Sequence, residues 1–304
     1  MSWIATHFIQ NEFITQINGI SITIKREDKL HPLVSGNKFR KLKYNFAYYQ
    51  EQQAKGVVTF GGAFSNHLAA TAAAGKIAGL STIGFVRGDE LQSKTRNPTL
   101  AFCEAQGMQL YFLSREDYRK KELAPLVQTI LNETSYALLE EGGTNERAIK
   151  GCEEILQTHD SEYDSIAVAV GTGGTFMGLL RSCSPAQQLL GFDVVKDDKV
   201  KQWIEQQANG QTNYSLIDAT ATGNYGKASK ELVHFINAFY AKHKILLDPL
   251  YTGKLLFGIF ALIKSGQWRW GKNILMIHTG GIQSITGFNQ LQKRKNNPLI
   301  EHDL

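Results

Sequence analysis

The segment AVAVGTGGTFMG, residues 167–178, indicates both the architecture of this chain and the position of its binding site. The first four residues are apolar, which is typical of a strand buried on both faces of a parallel sheet. Gly171, Gly173 and Gly174 follow, and a helical pattern begins near Thr175. N–H groups at the start of a helix are unpaired, and glycine lets an anion approach them closely. The segment therefore predicts a strand, an anion-binding loop and a helix.

The remainder of the sequence continues this alternation of apolar strands and helical segments, such as HLAATAAAGKIAG (67–79) and KELVHFINAFYAKH (230–243). An antiparallel hairpin comes first, because the pair Asn18-Gly19 favours a type I′ turn between FITQI and ISITIKR. Nine further strands are predicted at 56–61, 81–87, 108–114, 136–142, 165–171, 188–195, 214–219, 244–248 and 273–280. The pattern indicates an α/β protein with two open, twisted, mainly parallel sheets flanked by helices.

Four loops at the carboxyl ends of predicted strands combine glycine with hydroxyl or amide side chains. They are GGAFSNH (61–67), EGGTNE (141–146), GTGGTF (171–176) and HTGGIQS (278–284). Open parallel sheets bind ligands at the carboxyl ends of their strands. We therefore expect the four loops to converge on one site for an anion.

Three kinds of anion site could use the 171–176 loop. A P-loop needs Lys and then Ser or Thr after its last glycine, but Thr175 and Phe176 stand there. A dinucleotide site needs G-x-G-x-x-G, and Phe176 occupies the third glycine position, although Asp193 is suitably spaced to hold a ribose. The single phosphate of a small cofactor needs only backbone donors. The loop alone leaves the dinucleotide and the single phosphate open.

The segment HPLVSGNKFRKLKYNF (31–46) poses a second problem. Apolar residues recur at helical spacing from Phe39 to Tyr49, so a helix is predicted to begin near Asn37, which we expect to cap it. Lys38 follows directly, although the positive end of a helix dipole disfavours cations. Either the segment is a solvated basic face, or Lys38 is a free amine whose pKa is lowered by the dipole and by neighbouring cations.

Composition narrows the class of protein. The 304 residues are 42% hydrophobic and 20% charged, as in ordinary globular proteins, and a net charge of +5 suits small anionic ligands better than nucleic acid. Cys103, Cys152 and Cys183 are far apart and lack metal-binding spacing, which favours reduced thiols in the cytoplasm. No signal peptide or membrane-spanning run is recognisable. We expect a cytoplasmic protein without nucleic-acid, membrane or metal partners.

Seven motifs in one order give the sequence a resemblance to a known family. They are GNKFRKL, GGAFSNH, EGGTN, GTGGT, GNYG, DPLYTGK and HTGG. Together they resemble the fold type II pyridoxal-phosphate enzymes, which have a tryptophan synthase beta-like fold. The resemblance is to the group that contains 1-aminocyclopropane-1-carboxylate deaminases and D-cysteine desulfhydrases. It implies pyridoxal 5′-phosphate as the cofactor.

The resemblance also assigns cofactor contacts. It implies that Lys38 is joined covalently to the cofactor through its ε-amine. Asn66 matches the residue that hydrogen-bonds the phenolic oxygen, and Thr279 matches the hydroxyl partner of the pyridine nitrogen. The backbone that would hold the phosphate belongs to Gly171, Thr172, Gly173, Gly174 and Thr175.

A substrate pocket is implied in the same way. Ser65, Asn66 and His67 resemble the pocket for the substrate carboxylate, while Tyr225 and Tyr251 match two tyrosines placed over the substrate. The alternatives are that Ser65 only caps a helix, that His67 is only a packed ring, and that each tyrosine is only packed at a loop base. The residues expected to act in catalysis are Lys38, Ser65, Tyr225 and Tyr251.

Position 252 favours one activity of the group. The ring-opening deaminases are known for a Tyr-Glu pair where this sequence has Tyr251-Thr252, the pattern associated with the desulfhydrases. We therefore expect β-elimination from D-cysteine, in which Lys38 or Tyr225 removes the α-proton and the products are pyruvate, ammonia and sulfide. The alternative is 1-aminocyclopropane-1-carboxylate deamination to 2-oxobutyrate and ammonia. A nicotinamide-dependent dehydrogenase is a more distant alternative.

Two lobes and a homodimer complete the expectations. We predict a larger cofactor-binding domain formed by residues 1–44 and 149–304, and a smaller domain, residues 45–148, that closes over the substrate. The resemblance implies the homodimer, but no residue of the sequence identifies its interface.

Overall fold

The computed structural model describes residues 9–220, 223 and 226–303. The strands are β1 (Asn11–Ile17), β2 (Ile20–Lys25), β3 (Gly56–Gly61), β4 (Ser81–Arg87), β5 (Met108–Leu113), β6 (Tyr136–Leu138), β7 (Ser165–Val170), β8 (Gln188–Asp193), β9 (Tyr214–Asp218) and β10 (Asn273–Ile277). The α-helices are α1 (Asn37–Glu51), α2 (Asn66–Ala78), α3 (Pro98–Ala105), α4 (Arg115–Lys120), α5 (Pro125–Glu133), α6 (Glu146–Glu153), α7 (Gly174–Ser182), α8 (Asp198–Gln207), α9 (Lys230–His243), α10 (Thr252–Lys264) and α11 (Ser284–Arg294).

The strands form two sheets. The larger sheet has the order β1-β2-β10-β7-β8-β9 and the smaller has the order β5-β4-β3-β6. Every neighbouring pair is parallel except β1 and β2. The predicted fold class is therefore confirmed.

The N-terminal hairpin joins the larger sheet. Asn18 and Gly19 have φ values of 50° and 76°, as a type I′ turn requires at both central positions. β2 then pairs in parallel with β10, so the hairpin extends the sheet beyond its parallel part.

Strands β3 and β7 lie inside their sheets and lead into two of the glycine-rich loops. β7 lies between β10 and β8, and β3 lies between β4 and β6; all residues of β7 and β3 are buried. Helix α1 is buried along Phe39, Leu42 and Phe46, which pack in one apolar cluster with Val57 and Ala73. The helix predicted from Asn37 is thus confirmed, with its core-facing side as expected.

One predicted strand is wrong. Residues 244–248 form no strand, although Ile245, Leu246 and Leu247 are buried as a strand would be. The carbonyl oxygen of Leu246 lies 2.8 Å from the side-chain atom Nε2 of His278, where a strand would pair with a neighbouring backbone. Several correctly predicted strands also end earlier than expected, because their last predicted residues belong to the exit loops.

The sheets bear on the predicted division into two domains without testing its boundaries. Strands of the smaller sheet come from residues 56–138, and those of the larger sheet come from 11–25 and 165–277. Helix α1 crosses the boundary predicted after residue 44. The division and the closing movement stay predictions.

Candidate active site

The four glycine-rich loops surround one cavity of about 180 Å³. Its lining includes residues from all four loops and from helix α1: Asn37, Lys38, Lys41, Gly62, Phe64, Ser65, Asn66, His67, Glu141, Gly142, Gly171, Thr172, Gly173, Thr175, Thr279, Gly280 and Gly281. Leu250 and Tyr251, just before α10, complete this side of the cavity. The structure thus brings the predicted loops together.

The loop after β7 presents backbone rather than side chains. Gly173, at the N-terminal end of α7, has φ 83°, and a Cβ there would lie 2.7 Å from the ring of Trp203. A Cβ on Gly171 would lie 3.2 Å from the ring of Tyr251. Because the glycines of this loop carry no side chains, the N–H groups at the start of α7 are accessible to an anion in the cavity.

Lys41 gives this loop a cation that the sequence analysis did not assign to it. Its Nζ donates hydrogen bonds to Gly142 O, Thr144 Oγ1 and Thr172 Oγ1 at 3.1, 3.0 and 3.1 Å. Burial lowers the pKa of Lys41 to about 8, so the amine is still mostly protonated at pH 7. The one available signal was the spacing of Lys38 and Lys41, which places both on one face of a helix.

Lys38 has the chemistry of a nucleophilic amine. Burial, followed by repulsion from Lys41, lowers its pKa to about 7, so a large fraction is neutral at neutral pH. Nζ of Lys38 donates to Asn37 Oδ1 at 3.1 Å. The low pKa agrees with the sequence prediction, but its largest cause is burial, which the sequence argument had not invoked.

Arg40 and Lys43, the other cations of α1, pair with carboxylates outside the cavity, and Arg40 Nη1 also lies 3.4 Å from the Glu154 carboxylate that pairs with Lys43. Arg40 makes a two-pronged ion pair with buried Glu27 at 2.9 Å, and Lys43 pairs with Glu154 at 2.6 Å. The basic segment is therefore neither a uniform solvated face nor a single electrostatic cluster.

Asn37 does not cap α1. It is the first helical residue, preceded by Gly36, and its Nδ2 donates to Thr175 Oγ1 at 2.9 Å. Gly36 has φ 59°, and a Cβ there would lie 2.1 Å from the Thr279 carbonyl oxygen. The Asn37 N–H donates to that same oxygen at 3.2 Å, so close backbone contact ties α1 to the loop after β10.

Ser65 and His67 lie at the start of α2. Ser65 is the N-cap, since its Oγ accepts a hydrogen bond from Leu68 N at 3.2 Å, and it also lines the cavity. Thr59 Oγ1 donates to the Leu139 carbonyl and lies 2.8 Å from His67 Nε2. Because that hydroxyl proton is already used, His67 must carry its proton on Nε2.

His67 is thereby left with a buried acceptor. Burial, Lys38 and Lys41 hold the pKa of its imidazole well below the usual range, so the ring is neutral. Its Nδ1 has no hydrogen-bond partner among residues 9–220, 223 and 226–303. An unpartnered buried acceptor beside a cavity is a candidate contact for a ligand donor.

Tyr251 and Thr252 are held by one buried carboxylate. Asp248 accepts hydrogen bonds from the backbone N–H groups of Leu250, Tyr251 and Thr252, and from Thr252 Oγ1 at 2.8 Å. The Thr252 hydroxyl is fully buried and is not part of the cavity lining. Tyr225 lies outside the described residues, so its predicted place over the substrate has no structural account.

Thr279 and Asn66 also line the cavity. Thr279 is 8% exposed and lines the cavity through the loop after β10. Asn66 Oδ1 accepts a hydrogen bond from Gln283 Nε2 at 2.6 Å. Gln283 was not among the predicted site residues, since no pattern in HTGGIQS separates it from an ordinary loop residue.

The donors around the cavity fit pyridoxal phosphate. A phosphate would meet the backbone of Gly171–Thr175 and the Lys41 ammonium, and an aldehyde would meet the partly neutral Lys38 amine. By contrast, Asp193 accepts from Val195 N and Lys196 N at 3.0 and 2.8 Å, so it closes a turn after β8. Fold and site define an α/β protein that binds a small phosphorylated carbonyl compound beside a reactive lysine.

Comparison with known proteins identifies the family. The family model described as "Pyridoxal-phosphate dependent enzyme" matches residues 3–280. The chain belongs to this family, and it is an enzyme that depends on pyridoxal phosphate.

Individual proteins show the same relationship. A Thermotoga maritima protein named "Putative 1-aminocyclopropane-1-carboxylate deaminase" is 30% identical over 286 residues, which cover 87% of this chain and 89% of its own. The mitochondrial bifunctional D-cysteine desulfhydrase/1-aminocyclopropane-1-carboxylate deaminase of Arabidopsis thaliana is 29% identical, with 88% and 74% coverage. A crystal structure described as an ACC deaminase homologue superposes with a TM-score of 0.83 at 24% identity, covering 96% of this chain and 95% of the other.

The described residues also bear on membrane and metal partners. Within the described ranges, no helix is long and apolar enough to cross a membrane. The same residues contain no cluster of three or more His, Cys, Asp or Glu side chains that could hold a metal ion.

Proposed function

We propose that this enzyme is a D-cysteine desulfhydrase-type lyase that converts D-cysteine and water to pyruvate, ammonia and hydrogen sulfide. The observation that carries the proposal is the Lys38 amine, with its pKa lowered to about 7, in the same cavity as the anion-binding loop. The Arabidopsis relative, whose name includes D-cysteine desulfhydrase, supports it. Ring-opening deamination of 1-aminocyclopropane-1-carboxylate is the second candidate, favoured by the name of the Thermotoga relative.

The residues proposed to hold the cofactor lie on two sides of the cavity. Gly171–Thr175 and Lys41 would hold its phosphate. Asn66 would contact its phenolic oxygen, Thr279 would contact its pyridine nitrogen, and Lys38 would bind it covalently. When bound, the cofactor supplies an electron sink that stabilises negative charge at the substrate Cα.

Lys38 is proposed to move the α-proton. Because the pKa of Lys38 is near neutrality, its neutral Nζ would take a proton from the substrate Cα and would carry the positive charge afterwards. The Cβ–S bond then breaks and the sulfur leaves with the bonding electron pair. Tyr225 is the other proposed carrier of this proton.

The wall formed by Ser65, Asn66 and His67 is proposed to bind the substrate carboxylate. The donors there would be Ser65, Asn66 and backbone N–H groups, because the unprotonated Nδ1 of His67 has no proton to donate to a carboxylate. Backbone N–H groups at the start of α2 favour an anion, and burial of the neutral His67 ring keeps water away from that end of the cavity. Tyr251, fixed at its backbone by Asp248, is proposed to cover the substrate.

Position 252 supports elimination over ring opening. Thr252 adds no charge to the site, and its hydroxyl is used in the hydrogen bonds with Asp248. An ordinary amino acid has an α-proton to remove, whereas the cyclopropane substrate has none, so elimination demands less of the electron sink.

A substrate panel tests the proposal. Purified enzyme loaded with pyridoxal phosphate is assayed for sulfide and α-keto acid with both enantiomers of cysteine and with 1-aminocyclopropane-1-carboxylate. We expect sulfide and pyruvate from D-cysteine, and a loss of at least about 1,000-fold in Lys38→Ala. Lys43→Ala, on the same helix but paired with Glu154, is the matched control and should retain activity. Production of 2-oxobutyrate alone would replace the main proposal with the second candidate.

Assembly and location belong to the same proposal. We propose a cytoplasmic homodimer in which the smaller domain, residues 45–148, closes over the substrate. The described cysteines are all buried and unpaired, as expected of thiols in a reducing compartment. Analytical ultracentrifugation checks the dimer: a single species at the mass of one chain would contradict it.

A further inference from the structure

A hydrogen bond between two amides joins the two sheets beside the cavity. Gln283 Nε2 donates to Asn66 Oδ1 at 2.6 Å across 217 positions of sequence. Asn66 is the first residue of α2, which follows β3 of the smaller sheet. Gln283 is the N-cap position of α11, which follows β10 of the larger sheet. Each amide therefore lies in a segment that follows a strand of a different sheet.

The direction of this bond fixes which end of the Asn66 side chain faces a ligand. A primary amide has an acceptor end and a donor end, and the acceptor Oδ1 of Asn66 is turned toward Gln283. Asn66 Nδ2 lies 3.2 Å from where a Cβ on Gly281 would stand, and both residues line the cavity. In the described part of the chain no hydrogen bond uses Asn66 Nδ2, so its N–H groups remain available.

We propose that Gln283 is a positioning residue that holds the Asn66 amide with its donor end toward the bound ligand. The inference rests on the proposed function, because the ligand is the cofactor or the substrate of that site. The chemistry recognised is an oxygen atom bearing negative charge. Two sources present one: the phenolic oxygen of pyridoxal phosphate and the carboxylate of the amino acid.

Substitutions at position 283 separate orientation from packing. Gln283 is exposed, so changes there should not prevent folding. Gln283→Met keeps the length of the side chain and removes the hydrogen bond, which leaves Asn66 free to turn. Gln283→Glu supplies only acceptors, so it selects the reversed Asn66 amide and places Oδ1 against the ligand oxygen. Thr286→Glu, exposed one turn further along α11, adds the same charge without contacting Asn66 and is the matched control.

The loss of ligand binding is expected to be largest in Gln283→Glu and smaller in Gln283→Met. Thr286→Glu should behave like the wild type. If the oxygen belongs to the cofactor, Gln283→Glu weakens pyridoxal phosphate binding by about 10-fold relative to the wild type and shifts the visible absorption band. Gln283→Met then weakens this binding by about 3-fold relative to the wild type. If it belongs to the substrate, the KM for D-cysteine rises by the same factors while cofactor affinity and the band are unchanged. Equal values in Gln283→Glu and Thr286→Glu would overturn the inference.

Asn66→Ala tests whether Gln283 acts through Asn66. In this background, Gln283→Met should change neither cofactor affinity nor KM further, whereas an independent effect would persist and contradict the proposal. The side-chain amide resonances of Asn66 in the cofactor-free protein, assigned by loss in Asn66→Ala, give a second measurement. They should shift in Gln283→Glu but not in Thr286→Glu, and no shift would overturn the inference even where cofactor binding itself fails.

Discussion

The two sides of the cavity differ in how completely their polar groups are partnered. One side, which we propose holds the phosphate and call the phosphate side, is formed by Asn37, Lys41, Thr144, Thr172 and Thr175. Their side chains hydrogen-bond to one another across helix α1 and two loops. On the opposite side, formed by Asn66, His67 and Thr279, the Nδ1 atom of His67 has no partner among the described residues.

This difference suggests that one side of the cavity binds the cofactor and the other side takes part in the reaction. Because hydrogen bonds to one another already fix the side chains of the phosphate side, we expect little reorganisation when an anion binds there. On the opposite side, His67 Nδ1 and Asn66 Nδ2 have no hydrogen-bond partner among the residues that the structure describes, so a ligand could complete their hydrogen bonds. Predictions about the first side therefore concern affinity for the cofactor, and those about the second concern reaction and orientation.

The largest effect is expected where the two sides meet, at Gly36. Gly36→Ala combines φ 59° with a Cβ that would lie 2.1 Å from Thr279 O, so it should cost about 3 kcal/mol or more of unfolding free energy in urea titration. Gly210→Ala, with φ 83° and open space around it, carries the strain alone and should cost about 1 kcal/mol. Equal losses in the two variants would show that contact with the loop after β10 is unimportant.

Removing the cation of the phosphate side should have an intermediate effect. Lys41→Met is expected to weaken binding of pyridoxine 5′-phosphate, which lacks the aldehyde, by about 10- to 100-fold in calorimetry. Since the free Lys41 amine has a pKa of about 8, wild-type affinity should fall as the pH rises through 8. The variant should lack that fall. Thr144→Val, which removes a single hydrogen bond to Lys41, is the milder control.

The smallest effect couples the two lysines. Repulsion from Lys41 contributes to the low pKa of Lys38, so Lys41→Met should raise that pKa and reduce the neutral fraction at pH 7. Labelling of Lys38 by an amine reagent in the cofactor-free protein should then slow by about 3-fold at pH 7. Thr144→Val keeps both charges and should label at the wild-type rate; a rate unchanged in Lys41→Met would leave burial as the whole cause.

Much of the fold follows from short-range patterns. Helix α9 occupies the predicted 230–243 and is capped by Ser229, whose Oγ accepts from Leu232 N. Strands β3 and β4 occupy 56–61 and 81–87 as predicted. Residues 244–248 have the same apolar composition, yet no neighbouring strand offers them a ladder. Apolar composition therefore predicts that a segment is buried, whereas its pairing as a strand depends on whether the fold places another strand beside it.

The sequence by itself determined the alternation of elements and the four strand-exit loops, and it singled out Lys38 as a candidate, because periodicity, glycine and charge are local properties. The tertiary structure alone decided the contacts of Lys41, Gln283 and Gly36. Each acts through an atom more than 100 positions away: the hydroxyl of Thr172, the amide of Asn66 and the carbonyl of Thr279. Such contacts exist only after both sheets have brought distant loops to one cavity, and no local pattern encodes them.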